Sequence, residues 1–326
     1  ARSRPARAMK YLVTGATGFL GGRIVAQLRA RGDEVTALVR EPSKAEHLRA
    51  LGVTIVPGDI TERASVERAV HGIERVFHAA AWYVIGAPDE RAAEAINVGG
   101  TRNVLECAFA AGVGRIVYTS TLAVFSDTHG KLVDESHRFR GRHLTLYDRT
   151  KAAAHHEVAE PLQRAGAPLI VLLPGVLYGR GDKSAVGRAF AQYLRGELRT
   201  IPSRTTYCWG HVDDIAAVHL AAMERGQQGE TYIVGGPAQR LDEVFAEAQR
   251  ITGIPAPRRV PAALLRLAAL AMRPVGALVH LRPELHPESL RVLGGVSYLG
   301  DDRKARERLG FEPRPLAEGL RDALQG

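Results

Sequence analysis

The sequence predicts an α/β protein: a doubly wound parallel sheet with a smaller C-terminal lobe. Three observations carry that expectation. Short β-branched runs alternate with helical stretches through the first half, the first run ends in a glycine-rich turn, and the rhythm changes after Pro174. Helices cover both faces of such a sheet, so its strands read as apolar throughout rather than alternating. Six runs qualify, at residues 10–14, 34–39, 53–57, 75–79, 115–119 and 169–173. Between them apolar residues recur three and four apart, as at Leu20, Ile24 and Leu28, the period of an amphipathic helix.

A chain of 326 residues suits one large α/β unit with an appended lobe. Residues 9–174 form the expected sheet domain. Segments 206–209 and 231–234 are expected to return to it, leaving 175–205 and 235–326 as the lobe. Residues 1–8 are basic but lack a following apolar stretch, so they read as a disordered extension and not a signal peptide. The apolar run 262–272 holds Arg266, is too short to span a bilayer, and reads as a buried helix, so no membrane partner is expected. The net charge of +9 is spread along the chain without a basic block interleaved with aromatics, which argues against nucleic acid. Cys107 and Cys208 stand in apolar contexts without ligand spacing. They read as buried thiols of a cytoplasmic protein, with no metal site.

The first strand runs into Thr14-Gly15-Ala16-Thr17-Gly18-Phe19-Leu20-Gly21. Gly15 allows a tight turn, Gly18 a close approach of backbone to phosphate, and Gly21 close packing of helix on sheet. Free N–H groups and the positive end of the helix dipole then meet a pyrophosphate, the arrangement of a Rossmann-type dinucleotide site. At the end of the second strand an acidic residue usually bonds the ribose 2′-hydroxyl of NAD. Here Arg40 stands, with Lys44 four residues on. A cation there pairs with a 2′-phosphate, so NADP is the expected cofactor, with NAD the alternative because Glu41 offers a carboxylate. Asp59 and Ile60 follow the third strand, where Asp59 either meets the adenine or caps the next helix. Ala79, Ala80 and Ala81 follow the fourth, small enough for a dinucleotide to lie flat, whereas His78 reads as a packed strand residue.

Tyr147 and Lys151 are spaced i and i+4, which places both on one helix face. An ammonium beside a phenol lowers its pKa toward working pH, and the same lysine can bond the nicotinamide ribose. Upstream, the fifth strand ends in Thr119-Ser120-Thr121, and the Thr121 hydroxyl is placed to hold a carbonyl oxygen beside the tyrosine.

With these motifs the chain resembles the extended short-chain dehydrogenase/reductase family, of the NAD-dependent epimerase/dehydratase type, from Met9 to about Leu324. The matching pieces are TGATGFLG at 14–21, GDI at 58–60, HAAA at 78–81, INVGGTRNVL at 96–105, VYTST at 117–121, YDRTK at 147–151, LLPGVLYGRGD at 172–182, HVDDIAAVHL at 211–220 and KARERLGFEPRPLAEGL at 304–320. The resemblance implies that Thr121, Tyr147 and Lys151 are the catalytic residues. It implies that Asn97 orders the nicotinamide side, that Pro174 and Val176 pack around the nicotinamide, and that His211 and Asp213 are structural. It also implies pairing of two chains through residues 89–111 and 147–165 as a homodimer.

ALVREPSK, HAAAWYV and the closing helices look most like the dihydroflavonol-reductase-like branch. Nucleotide-sugar enzymes of the family tend to carry an arginine and an asparagine before the Tyr-Gly of the sixth strand, whereas this chain reads Pro174-Gly175-Val176-Leu177-Tyr178. An apolar mouth of Val124, Phe125, Val176 and Tyr178 suits a carbon-rich carbonyl or alcohol substrate. The expected activity is reversible hydride transfer between NADP and a ketone or aldehyde. Its rivals are a nucleotide-sugar epimerase or dehydratase with bound NAD, and a non-catalytic dinucleotide sensor.

Overall fold

A computed structural model describes residues 8–86, 89–278 and 286–325; the expected extension at residues 1–8 lies almost wholly outside them. The strands are β1 (Lys10–Thr14), β2 (Glu34–Val39), β3 (Thr54–Pro57), β4 (Arg75–His78), β5 (Arg115–Thr119) and β6 (Leu169–Pro174). They continue with β7 (Val176–Tyr178), β8 (Thr200–Pro202), β9 (Thr206–His211), β10 (Thr231–Val234), β11 (Ala238–Arg240), β12 (Arg258–Val260) and β13 (Ser297–Tyr298).

Seven of these form one sheet in the order β10-β6-β5-β4-β1-β2-β3, every pair parallel. The order reverses between β1 and β4, and ligands of such sheets bind beyond the strand ends at that point. The central strands are buried on both faces, as their apolar runs require. One face packs on the helices Phe19–Ala30 and Val212–Arg225, the other on Arg63–Val70 and Thr101–Ala110.

Of the two segments expected to return to the main sheet, 231–234 does so as β10, and 206–209 lies elsewhere. It belongs to β9, which pairs with β7, β11 and β13 in a second sheet. The reason is steric as well as apolar. Gly175 turns the chain away after β6 at a point where any Cβ would collide with the Cys208 carbonyl oxygen. The aromatic side chains of β9, Tyr207 and Trp209, then bury themselves with Tyr178, Phe190, Phe245 and Tyr298 in a separate core under the helices Leu241–Thr252 and Leu316–Leu324. Cys107 and Cys208 are buried free thiols.

The run 262–272, expected to be a buried helix, lies in the helix Ala262–Leu278 and is not buried throughout: Leu264, Leu267 and Leu270 are more than half exposed. An apolar run cannot report which of its faces finds a neighbour, and among the described residues the face toward the helix Pro287–Leu293 is a packed one.

Candidate active site

The turn after β1 forms the first wall of the site. Gly15 has φ of 76°, and a Cβ there would lie 2.6 Å from the Ala80 backbone nitrogen, so the turn lies directly against the segment after β4. A Cβ on Gly21 would collide with the Gly15 carbonyl oxygen, which is why the helix Phe19–Ala30 can start so close to the strand. Gly18 is its N-cap, without a side-chain cap and without an acidic residue in the first turn. The helix therefore presents backbone N–H groups and a positive dipole end, with Thr17 and Gly18 exposed and Phe19 and Leu20 turned toward the protein. This cradle fits a dinucleotide pyrophosphate.

At the end of β2 the two cations differ. Lys44 is held by Glu41, Nζ to carboxylate 2.8 Å, while Arg40 is exposed and pairs with no carboxylate among the described residues. After β3, Asp59 Oδ1 accepts from the backbone N–H and the hydroxyl of Thr61, both at 2.9 Å, so one of its oxygens shapes the turn. Ile60 packs against Gly100, and its carbonyl accepts from Asn103 at 2.9 Å. Ala79 and Ala80 are half-buried and Ala81 exposed along the strand end. His78 is buried, hydrogen-bonded to Thr14 (2.7 Å) and Thr101 (3.0 Å) and stacked on Tyr118. Burial drives its pKa down to about 3, so it is a neutral packing residue.

Thr121 caps the single turn Leu122–Phe125, its hydroxyl accepting from Ala123 N–H at 3.2 Å. Tyr147 is the second residue of the helix Leu146–Ala153, and the Thr121 side chain pulls its phenol pKa down against burial. The Tyr83 ring meets the Tyr147 ring edge-on at 4.8 Å. That helix start is fixed from far away in the chain. Thr145 accepts from Asp148 N–H at 3.0 Å, Glu288 accepts from Leu146 N–H at 3.0 Å, and the Tyr298 hydroxyl donates to Asp148 at 2.8 Å. Burial pushes the Asp148 carboxyl up to about 6 against these hydrogen bonds.

Lys151 differs from its expected role. Its Nζ donates to the Tyr118 hydroxyl at 2.9 Å and the Thr119 carbonyl at 3.0 Å, and it lies over the Tyr118 ring. The expectation that it lowers the Tyr147 pKa is not met in this arrangement. The phenol lies well above the ordinary tyrosine value, chiefly through desolvation and secondarily through Tyr83, with Thr121 acting against both. A buried ammonium takes the nearest acceptors, and those are on β5.

Other expected site residues are placed as follows. Asn97 sits in a π-helical segment, Glu94–Gly100, and spends its amide on protein groups. It accepts from Trp82 N–H at 2.8 Å and donates to the Trp82 carbonyl (3.1 Å) and the Thr150 hydroxyl (2.9 Å). It thus holds the strand-end segment bearing Tyr83 to the helix bearing Tyr147. Thr119 bonds His219, which keeps its proton on Nδ1 for the Ile215 carbonyl at 2.7 Å; the Thr119 hydroxyl therefore donates to Nε2 at 3.0 Å. Pro174 is buried opposite Val234, and Val176 is half-buried opposite Trp209. His211 caps the helix Val212–Arg225 and bonds Asp322 at 3.0 Å, while Asp213 pairs with Arg23 at 3.2 Å.

The expected apolar mouth is corrected. Val124 and Phe125 are fully buried with Leu122, Leu173 and Leu299, and Tyr178 is buried under Gly319 between Trp209 and His211. Alternation along a short element decides which side chains face inward, and the cores of the second sheet and of the turn claimed these three. The exposed aromatic at the site is instead Tyr83, 48% exposed. Tyr118, the acceptor for Lys151, also went unassigned. Its signal was its place one residue before Thr119 on a strand whose carboxyl end faces the lysine.

Residues 11–235 match the NAD dependent epimerase/dehydratase family. The chain is 33% identical to "Sterol demethylase protein B" of Methylococcus capsulatus, across 97% of this chain and 97% of that protein. It is 32% identical to a "Putative dihydroflavonol 4-reductase" of Synechocystis sp., across 96% of this chain and 93% of that one. Among solved structures, that of gox2253 superposes with a TM-score of 0.85 at 29% identity, covering 97% of this chain and 96% of the other.

Proposed function

The chain belongs to the NAD-dependent epimerase/dehydratase family, within the extended short-chain dehydrogenase/reductases and similar to their dihydroflavonol-reductase-like members, and from that premise we propose an NADP-dependent reductase of ketones or aldehydes, working reversibly. Membership makes the protein a nicotinamide-dependent oxidoreductase. When bound, the nicotinamide supplies or accepts the hydride.

The observation that carries the reading is the meeting of Thr121, Tyr147 and Tyr83 beyond the carboxyl end of β5. In this proposal the Thr121 hydroxyl orients the carbonyl oxygen and Tyr147 gives it the proton. In the reverse direction Tyr147 takes the proton from the alcohol. Burial keeps the Tyr147 phenol protonated, so it has a proton to give to a carbonyl oxygen that, in becoming an alkoxide, turns more basic than the phenolate left behind. Lys151, anchored by Tyr118 and Thr119, keeps one donor for the nicotinamide ribose. Thr17, Gly18, Ile60, Ala79, Ala80 and Ala81 would line the dinucleotide.

The choice of NADP rests on Arg40, exposed and without a carboxylate partner at the end of β2. Side-by-side calorimetric titration of NADPH and NADH tests it. NADPH should bind at least about tenfold tighter, and Arg40→Ala should remove most of that preference. Preference for NADH would instead favour the nucleotide-sugar epimerase reading. NADPH binding with no oxidation or reduction across a carbonyl panel would favour a sensor.

A further inference from the structure

The helix Ala262–Leu278 carries apolar residues on two faces. Its inner face packs on the helix Pro287–Leu293. On its outer face Leu264, Leu267 and Leu270 are 56%, 62% and 61% exposed. At helical geometry these three fall in one stripe about 120° wide, with the exposed Ala263 and Ala271 inside it and Arg266 at its edge. A helix that is apolar all round is ordinarily surrounded by protein or by lipid.

Beside the stripe runs a groove of about 350 Å³ lined by Ser203, Arg204, Pro261, Ala262, Arg266 and Gly295. Gly295 separates its two arginines: a Cβ there would lie 3.5 Å from an Arg266 guanidinium nitrogen and 3.8 Å from the Arg204 Cβ. Arg204 has φ of 65°, a left-handed conformation that a non-glycine residue adopts only where its surroundings impose it. Arg266 donates to the Gly294 carbonyl at 2.6 Å, and neither arginine pairs with a carboxylate among the described residues. The ribbon of β8 and β12 leads into the groove and carries the exposed Arg258, with Arg199 just before it.

We propose that this surface docks on an anionic phospholipid bilayer, with the leucine stripe at the acyl boundary and a lipid phosphate in the Arg204–Arg266 groove. Charge selects the occupant. A second copy of this chain, itself at +9, would set the same arginine rim against its own across a two-fold axis. A bilayer with anionic headgroups offers apolar depth and opposite charge together, and an interfacial helix uses both. Docking of this kind needs no spanning segment, and no helix among the described residues is long and apolar enough to span. The surface also lies near the site: the neighbouring helix Pro287–Leu293 carries Glu288, which bonds the residue before Tyr147. The proposal goes beyond the reductase reading and does not depend on it.

The test is flotation of the full chain with phosphatidylglycerol–phosphatidylcholine vesicles against phosphatidylcholine vesicles, at low and high salt. Binding should require phosphatidylglycerol and weaken with salt. Leu267→Asp should weaken it by about tenfold or more and Leu267→Ala by less. Arg204→Ser should weaken it several-fold and flatten the salt dependence, with melting temperatures of all variants close to wild type. Failure to float with phosphatidylglycerol, equal binding to neutral vesicles, or indifference to both the Leu267 and Arg204 variants overturns the proposal. So does a lipid-free dimer in sedimentation equilibrium that Leu267→Asp dissociates.

Discussion

The turn after β1 and the start of the helix bearing Tyr147 are both junctions at the carboxyl edge of the main sheet, yet they are held in opposite ways. The turn is closed by residues a few positions apart, Gly15 against Gly21, with outside contacts at Ala79 and Ala80. The Tyr147 junction is held by Glu288 and Tyr298, which lie 142 and 150 positions from the groups they bond. The first is a product of local backbone geometry and the second of the closed tertiary frame. The cofactor cradle and the proposed proton donor should therefore fail separately.

Tyr147→Phe gives the largest separation. Turnover should fall by roughly 10³-fold, while NADPH affinity measured by calorimetry stays within about twofold. Retained turnover would remove the tyrosine from the mechanism. Gly21→Ala should do the converse. Forcing the helix Phe19–Ala30 away from the Gly15 carbonyl should weaken cofactor binding by about tenfold and cost about 1–3 kcal/mol in urea unfolding. Gly319→Ala, equally crowded but against the Tyr178 hydroxyl in the other core, should show the stability loss with cofactor affinity unchanged.

A pH series sharpens the comparison at the Tyr147 junction. Asp148 is raised from its ordinary 3.8 to about 6, so the folded state favours its protonated form. Its contribution is fully present below its ordinary value and is lost as pH rises through the folded value, by up to about 3 kcal/mol. His78 and His219, depressed to about 3 and about 4 by burial, act oppositely, losing stability as pH falls below their ordinary value. The difference between wild type and Asp148→Asn isolates the carboxyl. The variant should gain on wild type by about 2–3 kcal/mol between pH 4 and pH 7 in urea unfolding, and a flat difference would remove the assignment. The smallest effect belongs to Lys44→Ala. Because Glu41 already holds that ammonium, NADPH affinity should change by less than about twofold to threefold in the same titration.

The legible parts share one property. The six strands of the first half, the glycine cradle and the shared helix face of Tyr147 and Lys151 depend on residues within one turn or one strand–helix unit. Periodicity and spacing report such units directly. The parts that differed each depended on a distant choice of neighbour. Thr206–His211 has the composition of a sheet strand, but which sheet it joins is decided by the turn at Gly175 and by the aromatics it meets. Val124, Phe125 and Tyr178 are apolar residues near the site whose direction is set by cores that gather several separate elements, reaching as far along the chain as Leu299 and Leu320. Lys151 is where its spacing puts it, but its hydrogen-bond partners come from β5.

By itself the sequence determined that a Rossmann-type sheet forms, that its first turn is shaped for a dinucleotide pyrophosphate, and that a tyrosine and a lysine share a helix face beyond the fifth strand. Those outcomes follow from sterics at Gly15 and Gly21 and from the helical repeat, both properties of short stretches of chain. Only the tertiary structure decided that Tyr118 takes the lysine, that Tyr83 stands against Tyr147, and that Leu264, Leu267 and Leu270 on one face of an apolar helix stay exposed. Those outcomes turn on which surfaces remain once every other apolar residue has been buried, and no local stretch carries that information.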